Sequence, residues 1–226
     1  MSGAWLSRIR LRRDAGLEAL GPVLVPGAAD AQAEVAHRLI WTLFADDPDR
    51  ARDFLWRQEA PGRFLALSAR KPREDSPLLA VESKAFAPAL HTGDRLAFML
   101  RANPTVQPHG PGERRRSDVV MHALRDVPHG PGRAAVRPKL IRDAGVAWLA
   151  RQGVRHGFSP DSERAAVDGY EVRQVPRPGR KPIRFATLDF EGLLTVTEPD
   201  GFVAGLLRGF GRARAFGCGL MLIRRA

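Results

Sequence analysis

Cysteine occurs once in the 226 residues, at Cys218, so neither an intramolecular disulfide nor a multi-cysteine zinc site is available. No run of eighteen apolar residues occurs, which argues against a membrane-spanning helix. The first residues, Met1-Ser2-Gly3-Ala4-Trp5-Leu6-Ser7-Arg8-Ile9-Arg10, alternate apolar and basic side chains where a secretory signal needs an unbroken apolar stretch. The expected setting is therefore the cytoplasm. Tyrosine is also scarce, Tyr170 alone, and this leaves little surface for stacking unpaired bases. The histidines, His37, His91, His109, His122, His129 and His156, never fall four apart, and His-Glu-x-x-His is absent, so no metal and no cofactor is expected.

The chain does have positive charge, with a formal net charge of +11 and 36 basic residues, of which only Lys71, Lys84, Lys139 and Lys181 are lysines. Each phosphate neutralised by such a side chain releases condensed counterions, so a polyanion, nucleic acid first, is the expected partner. Arginine suits forked contacts to phosphates and guanine edges. A GC-rich coding sequence also favours arginine over lysine, so the ratio alone decides nothing, but the excess charge still needs a partner.

The alternation of residues 5–11 predicts a first strand. Asp30 can cap a helix carrying Ala36, Leu39, Ile40, Leu43 and Phe44 at helical spacing. Two strands follow, 54–57 and 63–69, around Ala60-Pro61-Gly62. Strand, helix and two strands begin a ferredoxin-like βαββαβ unit, which a helix within 72–88 would continue. Residues 94–102 alternate cleanly and stop at Pro104, which places a boundary near residue 90.

Beyond it, the Gly/Pro-rich tracts 107–116 and 128–137 are expected to be mobile. A helix is predicted over 139–152, with Gly153 as its stop. Strands 170–173 and 183–190 flank a basic hairpin tip, β signal continues over 193–197, a helix follows over 199–209, and residues 220–223 close the chain. That order is a second βαββαβ unit. The fold class expected is α+β, two tandem ferredoxin-like (RRM-related) domains, 1–90 and 91–226.

Gly209-Phe210-Gly211-Arg212-Ala213-Arg214-Ala215-Phe216-Gly217-Cys218-Gly219 interleaves four glycines with two arginines. Such a segment brings backbone N–H groups close to a phosphate, and it serves equally as a tight helix-to-strand connection. Together with Leu100-Arg101-Ala102-Asn103-Pro104-Thr105, Asp189-Phe190-Glu191-Gly192-Leu193-Leu194, Ala51-Arg52-Asp53-Phe54-Leu55-Trp56-Arg57 and Val35-Ala36-His37-Arg38, it closely resembles the Cas6e (CasE, Cse3) family, in the same order and over nearly the whole chain.

That resemblance implies a metal-independent endoribonuclease that binds the stem-loop of CRISPR repeat RNA, cuts precursor RNA at the base of the stem, and stays bound to the product with the other subunits of a Cascade complex. It implies the catalytic histidine at His37. Imidazole titrates near neutrality and suits proton transfer when a 2′-OH attacks the adjacent phosphorus. It also implies RNA contacts from Arg38, from the tip residues Arg177, Arg180 and Lys181, and from Gly209, Gly211, Arg212 and Arg214. Arg114, Arg115 and Arg116 form a further basic cluster. The family has a tyrosine three residues before the histidine, where this chain has Glu34. Beside His37 a carboxylate would favour the imidazolium; facing solvent near the helix N-terminus it would do nothing catalytic.

Overall fold

A computed structural model describes residues 3–12, 21–27, 29–47, 49–107, 116–177 and 179–226. The alternating N-terminal segment forms β1 (Ala4–Leu11), which buries Ile9 and exposes Arg8 and Arg10 toward Glu82. After the short α1 (Gly21–Leu24), α2 (Ala29–Thr42) lays Ala36, Leu39 and Ile40 on the sheet, the apolar stripe its spacing predicts. Strands β2 (Phe54–Ala60) and β3 (Arg63–Ser68) meet at Gly62, whose φ of +70° suits the tight turn. β4 (Leu79–Phe86) completes an antiparallel sheet of order β2-β3-β1-β4, the ferredoxin-like arrangement.

The helix expected within 72–88 is absent, and β4 lies there instead. Pro72 and Pro77 disfavour a helix, and the Ser76 hydroxyl accepts from the N–H groups of Leu78 and Leu79, at 3.3 and 3.2 Å, turning the chain into the strand.

The second sheet starts at β5 (Arg95–Ala102), which buries Leu96, Phe98, Leu100 and Ala102 as its alternation requires. The small pair β6 (Thr105–Val106) and β7 (Ser117–Asp118) leads to α3 (Val119–Ala123), capped by Asp118 through bonds to the Val120 and Met121 N–H groups. Then follow α4 (Pro131–His156), β8 (Phe158–Pro160), β9 (Ala166–Arg177), β10 (Arg180–Val196), α5 (Pro199–Arg208), a 3₁₀ turn (Arg214–Phe216) and β11 (Met221–Arg225). The order β11-β5-β10-β8, with β9 along the rest of the same β10 edge, repeats the arrangement of the first sheet.

Two expectations for this half need correcting. Residues 131–137, expected to be mobile, begin α4, and Gly153 lies inside that helix; the stop is Gly157, at φ +74°. A side chain at Gly153 would come within 2.3 Å of the Phe158 carbonyl, so this glycine serves the close approach of helix and strand. Residues 183–190 and 193–197 likewise belong to one long strand as far as Val196. Each sheet has its own apolar core, and a smaller cluster of Ala4, Leu55, Leu67 and Leu220 joins the two. The α+β expectation is borne out.

Candidate active site

One position around α2 from its core face, His37 lies four residues before Trp41 and meets Phe216 of the C-terminal glycine-rich loop. The His37 ring centroid is 6.0 Å from that of Trp41 and 6.0 Å from that of Phe216. Phe216 in turn stacks on Phe185 of β10, at 5.4 Å. The indole N–H of Trp56, from β2, donates to the Ala215 carbonyl at 3.1 Å and ties the loop to the first sheet. His37 is thus half-buried where the two sheets meet.

Its Nδ1 is buried with no hydrogen-bond partner among the described residues. Burial holds the imidazole pKa below its ordinary value, and the nearby guanidiniums of Arg52 and then Arg38 add to that, against an opposing pull from the Ala215 backbone. That direction favours the neutral imidazole over the imidazolium.

The glycine-rich loop is a tight connector, and its glycines are needed for that. At Gly209, φ +78°, a Cβ would meet Leu55 at 2.7 Å; at Gly211, φ +76°, it would meet the Asn103 carbonyl at 2.8 Å. The 100–105 motif clamps this loop. The Asn103 carbonyl accepts from the Arg212 N–H at 3.1 Å, while its side-chain amide donates to the Ala186 carbonyl at 2.7 Å. Arg101 and Asp189, opposite each other on β5 and β10, form a two-pronged ion pair at 2.8 and 2.7 Å. Cys218 is fully buried and its thiol is pushed up to about 12, which leaves it no thiolate for chemistry.

Beside the loop lies a cleft of about 590 Å³. Arg116, Arg155, Arg208, Arg212 and Arg214 line it from the second sheet's side, and Arg52 from the segment before β2. No acidic residue lines it among the described residues. Arg214 spends two of its N–H groups on the carbonyls of Gly211 and Arg208, so it braces the loop as well as charging it.

The structure brings His37, Gly209, Gly211, Arg212, Arg214 and Arg116 to one region. Arg177, Arg180 and Lys181 are exposed at the end of the β9–β10 hairpin, where Arg177 pairs with Arg180 across the turn, and none of them lines the cleft. Arg114 and Arg115 lie outside the described residues. Glu34 does not engage His37; it forms an i,i+4 ion pair with the exposed Arg38. Arg52, which the sequence alone does not mark as a site residue, stands in the 51–57 motif and lines the cleft. Its Nε is buried without a hydrogen-bond partner among the described residues, and Asp53 beside it is taken by Arg70 at 2.7 Å.

A family model described as CRISPR associated protein matches residues 4–225. The chain belongs to that family. The Cascade subunit CasE of Escherichia coli K12 is 28% identical over 211 residues, covering 89% of this chain and 96% of that protein. The CRISPR-associated endoribonuclease Cse3 of Thermus thermophilus is 31% identical over 149 residues, 62% of this chain and 60% of that one. Among solved structures, Cse3 bound to a 19-nucleotide RNA aligns with a TM-score of 0.69 at 25% identity, over 98% of this chain and 99% of that one. Cas6e from Escherichia coli K-12 has the same fold, with a TM-score of 0.63 at 21% identity, over 98% of this chain and 100% of that one. The resemblance to Cas6e drawn from the sequence motifs is thereby borne out.

Proposed function

We propose that the chain is an endoribonuclease that binds the stem-loop of CRISPR repeat RNA, cuts the precursor at the base of the stem by 2′-OH attack without a metal ion, and keeps the product within a Cascade complex in the cytoplasm. Residues 1–90 form the domain that carries His37, and 91–226 the domain that carries the basic hairpin and the glycine-rich loop. The observation that carries this reading is the half-buried His37 packed against Phe216 of the glycine-rich loop, whose preceding residues line an arginine-rich cleft, in a chain whose relatives include CasE and Cse3.

The neutral imidazole of His37 takes the proton of the 2′-OH as its oxygen bonds to phosphorus; the P–O5′ bond breaks, leaving a 2′,3′-cyclic phosphate and a 5′-oxygen that is protonated by water. Arg52, close enough to lower the His37 pKa, offers its guanidinium to the charge that builds on phosphorus. Arg38 neutralises Glu34, so the acidic side chain at the family's tyrosine position does not repel the phosphate. Incubating the protein with a labelled repeat hairpin in EDTA tests the reading. A cut at the stem base is expected; an intact but shifted band would make this a binding subunit, and loss of cutting only in EDTA would mean a metal-assisted reaction.

The pH dependence follows from the same geometry. With His37 as base, cleavage at sub-saturating protein rises with pH through an inflection below the ordinary 6.5 of histidine. Removing a lowering charge with Arg52→Gln moves that inflection up, whereas Glu34→Gln leaves it in place because Arg38 already holds the carboxylate. An Arg52→Gln profile that superimposes on the native one contradicts this assignment of charges.

A further inference from the structure

Cutting at His37 makes no use of the depth of the arginine cleft. Six guanidiniums converge on it, and none of them is paired with a carboxylate among the described residues. Like charges so gathered repel one another. Two features offset part of that repulsion in the free protein: Arg155 lies in the last turn of α4 and Arg208 in the last turn of α5, where the carbonyl ends of the helices favour cations. The rest is left for a ligand. Arg155, Arg208 and Arg212 are exposed, and Thr105, Gln107 and Gln152 intersperse uncharged hydrogen-bonding groups among the charges.

Charge identifies the ligand as a polyanion, and size narrows it. A cleft of about 590 Å³ falls within the small-molecule range of roughly 300–1,000 Å³, which holds a short stretch of one strand but not a duplex. Arg52 supplies the continuity: it lines the cleft together with Arg214, and its charge acts on His37. A strand whose scissile phosphate lies at His37 therefore passes Arg52 directly into the cleft.

We infer that the cleft between the ends of α4 and α5 and the glycine-rich loop seats the phosphodiester backbone of the unpaired RNA that continues from the base of the stem. The inference rests on the reading above, that the protein holds a hairpin with its stem base at His37. It adds a second place of contact, reserved for unpaired RNA.

Binding of three uncleavable RNAs tests it: the hairpin ending at the stem base, the same hairpin with an unpaired 5′ extension, and one with an unpaired 3′ extension. At least one extension is expected to tighten native binding about tenfold and to steepen its salt dependence by roughly one to one and a half log–log units, at about 0.7 per single-strand phosphate. Which extension does so identifies the flank. The Arg155→Gln, Arg208→Gln double variant should lose that gain while binding the blunt hairpin as the native protein does. No gain from either extension, a gain kept in the variant, or an equal loss on the blunt hairpin would each overturn the inference. If the native protein bound no hairpin at all, the parent reading would fail. The unpaired oligonucleotide alone, bound by native protein and lost in the double variant, would then still support the cleft, and equal binding by both would overturn it.

Discussion

With alanine in place of His37, cleavage of a repeat hairpin is expected to fall by about 10²–10⁴-fold, the usual contribution of a positioned acid or base. Binding of the same hairpin should stay within a few-fold. The asymmetry has a physical origin: one uncharged imidazole adds little to an interface made of many phosphate contacts, yet it is the one histidine of α2, and it packs against the 3₁₀ turn. The substitution removes a half-buried ring beside Trp41 and Phe216, so a folded far-UV spectrum belongs with the measurement. Cleavage retained by a well-folded His37→Ala protein would remove the chemical role assigned to α2.

The second large effect is expected at the hairpin tip. Replacing Arg177, Arg180 and Lys181 together should flatten the log–log salt dependence of hairpin binding by roughly two to three units, because each phosphate contact contributes close to one. The three tip side chains are exposed and none is placed in the proton transfer, so single-turnover cleavage at saturating protein should change little. A-form RNA presents a deep, narrow major groove, and a slim two-stranded projection suits it better than a helix does. An unchanged slope would place the stem on another surface.

Much of this was legible in the sequence, for reasons that differ by element. β1 and β5 alternate because one face of each is buried, and α2 shows its stripe because one side packs on a sheet. β4 escaped notice because it is an edge strand with few buried residues, so Ala80-Val81-Glu82-Ser83-Lys84 reads as neither period. The start of α4 was hidden by Pro131, Gly132 and Pro138; Pro131 stands in the first turn, where its missing N–H costs no helical hydrogen bond, and Pro138 lies inside the helix. At the site, His37 and the glycine-rich loop were found through family motifs, since a lone histidine on an amphipathic helix carries no signal of its own.

Arg52 and the cleft were not legible. Nothing in the spacing of Arg52, Arg116, Arg155, Arg208 and Arg212 places them together; only the meeting of two helix ends with the loop does so. Glu34 shows the converse. Three residues from His37 it could have faced the ring, but Arg38, four residues away and oppositely charged, takes it instead.

The central claim is that this chain cuts RNA by using the substrate's own 2′-OH. A repeat hairpin carrying a single 2′-deoxy nucleotide immediately before the cut tests it most directly. That RNA should bind as tightly as the all-ribose hairpin and remain intact, because the nucleophile is gone while every phosphate contact is kept. If the deoxy substrate is cut at the same phosphate and at a comparable rate, the attacking group is water or a protein side chain, and the account given for His37 is wrong.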